Sequence, residues 1–167
     1  MDYISSDTNV WIDYTVINKQ DLPFRLSITY LMSIDALNDE LLSPSGIKEK
    51  LLSLGLQPTE LTESEFYYAI NMAKLNPRLS KYDCSALSIA KHRGLVLLTG
   101  DGMLRKTAMN EGIPVMGTIG LLDKLYDENK ISSKEYVECL SLLKKANGME
   151  VRLPMDELDK RLNMFDL

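Results

Sequence analysis

The sequence predicts an α/β fold, a doubly wound parallel β-sheet of four to five strands flanked by helices, and three observations carry that prediction. Strand and helix signals alternate through residues 3 to 125. Leu95-Val96-Leu97-Leu98 is a continuous apolar run, the pattern of a parallel strand covered on both faces. The chain also switches from strand to helix within its first ten residues, at Asp7-Thr8-Asn9. Alternating elements of this kind specify a parallel sheet, because each right-handed crossover lays its helix on one face or the other.

Taken in order, Tyr3 to Ser5 reads as the first strand, and Val10, Ile12, Val16 and Ile17 as the apolar positions of a helix. Arg25-Leu26-Ser27-Ile28 reads as the second strand, followed by Leu31, Ile34, Leu37, Leu41 and Leu42 at helical spacing. Pro44-Ser45-Gly46 interrupts the chain, and Ile47, Leu51, Leu52 and Leu54 form a further helical piece that stops at Gly55. Leu56 to Leu61 reads as a short strand that Pro58, which lacks an amide hydrogen, restricts to a sheet edge. Thr62-Glu63-Ser64-Glu65 has the spacing of a capping box and opens a helix to about Leu75, which Asn76-Pro77 ends. The next helix starts near Ser80, turns Leu87, Ile89 and Ala90 inward and closes at Gly94. It leads into Leu95–Leu98, expected to be central. Thr99-Gly100-Asp101-Gly102 then opens another helix, Gly112 ends it, and Ile113-Pro114-Val115-Met116 is the fifth strand.

Residues 1–125 are therefore expected to form the sheet domain. Residues 126–167 are expected to be a helical C-terminal extension packed on that domain or on a partner. Ser132-Ser133-Lys134-Glu135 is a second capping box, Tyr136, Val137, Leu140 and Leu143 follow at helical spacing, and a last helix begins at Pro154 and runs to the end.

Composition narrows the class. A chain of 167 residues with 45% apolar content can bury a core without disulfides. Cys84 and Cys139 lie in no metal-ligand spacing and read as two half-buried thiols, which points to a reducing compartment. The N-terminal MDYISSD has no basic-then-apolar stretch, so neither a secretory signal nor a transit peptide is expected, and no run reaches the length needed to span a bilayer. A cytoplasmic protein is the expectation. The net charge of −5 tells against ordinary nucleic-acid binding through a basic face. That objection weakens where carboxylates hold divalent cations, because the metal then neutralises the local charge. Lys91-His92-Arg93 and Arg105-Lys106 are the two basic stretches, each equally readable as a solvated helix end.

Sheet geometry brings three acids together. Ligands of an open doubly wound sheet gather beyond the carboxyl ends of the strands where strand order reverses. If the first strand and Leu95–Leu98 are central neighbours, Asp7 and Asp101 each follow the carboxyl end of one of them. The helix from Ser80 runs antiparallel to the central strand, so its first turn, which carries Asp83, lies at the same edge. Each acid has an ordinary reading: Asp7 as a helix N-cap, Asp83 as a first-turn charge, Asp101 as a turn residue. Their joint placement is what those readings leave unexplained. Clustered carboxylates need a cation to stay ionised together, and oxygen ligands without His or Cys suit Mg²⁺ or Mn²⁺. Such an ion activates water and stabilises a leaving oxygen, a chemistry suited to hydrolysis of a nucleic-acid backbone.

Three segments in this order resemble the PIN-domain family, whose bacterial members include VapC-type toxins. They are Ser6-Asp7-Thr8-Asn9-Val10-Trp11-Ile12, then Tyr82-Asp83-Cys84-Ser85-Ala86-Leu87-Ser88-Ile89-Ala90, then Leu97-Leu98-Thr99-Gly100-Asp101. Gly112 to Leu122 is similar to the closing strand and helix of one subgroup, and the resemblance covers roughly residues 3 to 125. It implies a PIN-like doubly wound sheet and a ribonuclease that uses Mg²⁺ or Mn²⁺ to cleave RNA. It implies homodimers and, for toxin members, an antitoxin protein as partner. It also implies a fourth acid in the helix after the second strand, for which Asp35 is the first candidate and Glu40 the fallback. Asn9 and Thr99 would support the carboxylates through hydrogen bonds. The long C-terminal extension departs from the compact toxin pattern.

Two other classes compete. A phosphoacceptor receiver domain shares the alternating plan but expects adjacent acids after the first strand and a Lys after the fifth, where this chain has Asp7 without an acidic neighbour and Gly117. A PIN-like fold without activity, serving as a nucleic-acid or protein binding module, is the other. His92 reads as a surface residue and Trp11 as core or interface.

Overall fold

The structure, a computed structural model, describes residues 2–165. Five parallel strands, β1 (Asp2–Ser6), β2 (Ile28–Ser33), β3 (Gln57–Thr59), β4 (Val96–Leu98) and β5 (Val115–Met116), form one sheet in the order β3-β2-β1-β4-β5. The chain runs outward from β1 to β3 on one side and continues from β4 to β5 on the other. Strand order therefore reverses between β1 and β4, the pair that the sequence reading supposes to be central neighbours. A receiver domain has the order 2-1-3-4-5, and this sheet does not.

Helices α1 (Thr8–Val16), α2 (Ile34–Glu40) and α3 (Ile47–Leu54) are followed by α4 (Glu63–Leu75) and α5 (Lys81–Arg93), then α6 (Gly102–Asn110) and α7 (Thr118–Asp127). The sheet is covered on both faces, as the unbroken apolar run in β4 requires. Side chains alternate along a strand, so Leu97 enters a core with Leu87, Ala90 and Leu104 of α5 and α6, while Leu98 enters a second core with Trp11, Tyr14 and Leu121. Trp11 is fully buried, stacks against Phe24 and meets Tyr30 edge-on, which makes it a core residue. Cys84 and Cys139 are free thiols buried completely rather than by half.

The capping boxes at Thr62 and Ser132 form as their spacing predicts, and Gly94 closes α5 in the left-handed conformation at φ 64°. The second strand is displaced from its expected place. Pro23 directs Leu22–Arg25 into a 3-10 turn, and β2 begins three residues later, at Ile28. Residues 30 to 33 of β2 are all buried, so the segment lacks strand alternation, and Leu31 and Ile34 imitate helical spacing. β3 is an edge strand containing Pro58, as expected, and β5 pairs over two residues only.

Beyond the sheet, α8 (Ser133–Ala146) and α9 (Met155–Asn163) complete the described chain. The last helix ends at Asn163, short of the C-terminus, and residues 166 and 167 lie outside the described residues. Tyr136, Leu140, Leu143 and Leu158 share one core with Ile4, Trp11 and Tyr14, and α7 runs continuously through residue 125. The guanidinium of Arg161 in α9 forks onto Asp123 of α7 at 2.7 and 2.8 Å. No helix among the described residues is long and apolar enough to cross a membrane.

Candidate active site

Asp7, Asp83 and Asp101 each owe their position to a helix start. Asp7 ends β1 and caps α1: one carboxylate oxygen accepts the Thr8 amide at 2.9 Å, and its own amide donates to the carbonyl of Leu98 in β4 at 2.8 Å. Asp101 follows β4 and caps α6 by accepting the Met103 amide at 3.0 Å. Asp83 is the third residue of α5 and the acidic half of a capping box with Ser80. The ordinary readings of Asp7 as an N-cap and Asp83 as a first-turn charge are thus correct locally, and Asp101, read as a turn residue, is an N-cap. These roles do not exhaust them, because a cap uses one oxygen of each carboxylate.

The three acids line one cleft of about 830 Å³ at the carboxyl ends of β1 and β4. Glu40, the last residue of α2, lines it with them and accepts the Thr8 hydroxyl at 2.6 Å. Asp35 does not reach it. A helix turns 100° per residue, so Asp35 stands about 140° around α2 from Glu40, and it lines a separate cleft beside Phe66 and Tyr82. The structure therefore gathers Glu40, the fallback, and leaves Asp35, the first candidate, outside the group. Asp13 and Glu150 also line the acidic cleft, with Arg152 at its rim. Sequence reasoning missed these three. Glu150 and Arg152 arrive from the turn between α8 and α9, and no local pattern links that turn to β1.

Thr99 and Asn9 brace the site differently. The fully buried Thr99 hydroxyl donates to the second Asp7 oxygen at 2.9 Å and accepts the Asp101 amide at 3.1 Å, joining the two strand ends. The resemblance implies that Asn9 supports a neighbouring carboxylate through a hydrogen bond. Its side-chain oxygen instead accepts the Gly100 amide at 3.0 Å, which fixes the loop between β4 and α6.

The electrostatics are those of uncompensated charge. Asp7 is 6% exposed, and its pKa is pushed up to about 7, first by burial and next by the charge of Asp83, against the lowering effect of hydrogen bonds from Thr99 and Thr8. Burial and then the neighbouring charges of Asp83 and Asp39 raise Glu40, which the Thr8 hydroxyl partly offsets. Burial raises Asp83 too, opposed by its bonds to Ser80 and reinforced by Asp101. Burial lifts Asp13 to about 6 although the Thr118 hydroxyl donates to it at 2.6 Å. None of these acids takes part in a salt bridge among the described residues.

The donor set, carboxylate oxygens without His or Cys, suits a hard divalent cation. No group of three or more Asp, Glu, His or Cys side chains among the described residues stands close enough together to hold a metal ion. The fit therefore lies in donor chemistry and unpaired charge, and three-ligand coordination would need the side chains to draw together.

Fold and cleft together define a doubly wound α/β domain with a carboxylate-lined cleft at its topological switch point. The family model DUF3368, described as a PIN domain, matches residues 5–165, and the chain belongs to this PIN-domain family. The match takes in α8 and most of the chain beyond residue 125. Comparison with curated proteins and with solved structures found no match. Family membership carries a nuclease-type function in general terms, acting on nucleic acid.

Proposed function

We propose that the chain is a metal-dependent endoribonuclease, with Asp7, Glu40, Asp83 and Asp101 as the acids that hold Mg²⁺ or Mn²⁺. The observation that carries this reading is the meeting of four carboxylates from four separate segments in one cleft without a salt-bridged cation. A bound divalent ion supplies charge neutralisation and a water of lowered pKa for attack on a phosphodiester. The protein's own part is positional. Capping bonds hold one oxygen of Asp83 and of Asp101 and leave the other for a ligand, while Thr99 keeps Asp7 and the β4 loop in register. The raised proton affinity of Asp7 and Glu40 is the electrostatic demand that a cation relieves.

The test incubates wild type and Asp7→Asn with mixed RNAs in Mg²⁺, Mn²⁺ or EDTA. Wild type should cleave only with metal, and Asp7→Asn should lose roughly a hundredfold or more of that activity, an effect of the size seen when one charge-stabilising group is removed. Cleavage that survives EDTA or the substitution sinks the reading. One observation favours a second reading, a family member that binds nucleic acid without cutting it: no three acids among the described residues are drawn into a closed group. Binding of RNA without cleavage in either metal would establish it.

The finer assignment, a toxin held by a cognate antitoxin and acting as a homodimer in the cytoplasm, rests on the sequence resemblance. An adjacent gene for a small DNA-binding protein, and a dimer by light scattering, are the results it expects.

A further inference from the structure

Arg105 and Arg152 line a second cleft, of about 650 Å³, whose wall shares Gly100 and Arg152 with the acidic cleft. The two clefts therefore adjoin. Neither arginine has a salt bridge among the described residues. Arg161 lines the same cleft but is committed to Asp123 and Glu157, both at 2.7 Å, which also neutralises the one acid there.

Arg105 is held in place. Its Nη1 lies 3.4 Å from the carbonyl of Thr99, the residue whose hydroxyl holds Asp7. A Cβ at Gly117 would stand 2.7 Å from that same nitrogen, so the glycine leaves the room that the guanidinium occupies. The other basic stretch contrasts with it: Lys91 pairs with Glu111 and Arg93 with Glu65. In a chain of net charge −5, two guanidinium groups without a salt bridge among the described residues thus adjoin the acidic cleft on its β5 side.

Resting on the nuclease reading above, we propose that Arg105 and Arg152 form a subsite for a backbone phosphate of the RNA strand, neighbouring the phosphate that lies over the acids. Guanidinium groups match phosphate oxygens in a two-pronged geometry and hold charge at any working pH. Contacts of this kind place the strand without reading its sequence. They also answer the objection raised by net charge: two guanidinium groups without a carboxylate partner, set beside the acids, can hold a strand without a basic face.

The experiment measures binding of a fluorescent single-stranded RNA of mixed sequence over a range of salt, in the Asp7→Asn background with Mg²⁺ so that the strand stays whole. Arg105→Gln, Arg152→Gln, the double variant and the exposed control Lys106→Gln are compared. The same four changes in the otherwise native chain are assayed for cleavage. Each arginine change should weaken binding severalfold and reduce the slope of log K against log salt by about 0.7. It should raise KM for cleavage in step, and Lys106→Gln should do neither. Because Arg152 is exposed, Arg152→Gln carries the test even if Arg105→Gln disturbs the loop. Wild-type affinity and slope in both arginine variants, with cleavage intact, overturn the subsite and leave the nuclease standing. Arginine-dependent binding with no cleavage by the native chain overturns the nuclease and keeps the subsite. A chain that neither binds nor cuts RNA overturns both.

Discussion

Glu65 and Asp7 are both carboxylates buried at the start of a helix, exposed by 1% and 6%, yet the first is held down to about 2 and the second pushed up to about 7. Glu65 meets the guanidinium of Arg93 at 2.8 and 3.0 Å and closes the capping box of α4, so every oxygen has a donor and the charge has a counterion. Asp7 has comparable hydrogen bonds, from Thr8 and Thr99, but its charged neighbours are Asp83 and Glu40. Hydrogen bonds alone do not compensate a buried charge. One charge is compensated within the chain, and the other is not, which is the demand that the proposed cation would meet.

The contrast can be broken from its compensated side first, where the largest loss of stability is expected. Arg93→Ala leaves Glu65 buried and unpaired and should cost about 3 kcal/mol, read by urea unfolding at pH 7. A depressed carboxylate pKa contributes stability that is present above its unfolded value of 4.5 and lost as pH falls toward 2. The wild type should therefore lose stability through that window, and Arg93→Ala should lose less.

The uncompensated side predicts the opposite sign. A raised carboxylate pKa contributes stability that is complete below 3.8 and lost as pH rises through about 7. In EDTA, Asp7→Asn should therefore stabilise the chain at pH 8 by about 4 kcal/mol, since each pH unit between the two midpoints is worth about 1.4 kcal/mol. The gain should vanish near pH 4. An Asp7→Asn chain less stable than wild type at pH 8 would show that the carboxylate is a structural cap and nothing more.

A smaller effect separates the two candidates on α2. Glu40→Gln should reduce cleavage by about tenfold to a hundredfold, in the range seen when groups around a metal site are altered. Asp35→Asn, on the far side of the helix, should leave cleavage at the wild-type rate. The reverse pattern would move the fourth acid out of the cleft that the fold defines.

These two residues also show where the sequence stops being informative. The alternation of strands and helices and the capping boxes follow from local signals, and the placement of Asp7, Asp83 and Asp101 follows from one rule about strand ends once β1 and β4 are supposed to be neighbours. The choice between Asp35 and Glu40 depends on the phase of α2, and that phase was hidden because β2, buried along residues 30 to 33, carries no alternation. A helix expected to begin near Leu31 begins at Ile34. Glu150 and Arg152 were hidden for another reason. They reach the cleft only because α8 and α9 pack on the face of the sheet that holds Trp11 and Tyr14, a long-range result of core formation. The extension is in this sense part of the site's wall.

The central claim, that the acidic cleft is completed by a divalent cation, is tested most directly by melting the metal-free chain at pH 8 while Mn²⁺ is titrated in, for wild type and Asp7→Asn. A ligand that binds only the folded state raises its stability with the logarithm of concentration above Kd. The wild type should begin lower and climb with Mn²⁺, while Asp7→Asn begins higher and stays flat. A wild-type melting temperature that does not respond to Mn²⁺, or an equal response in both chains, would contradict the account.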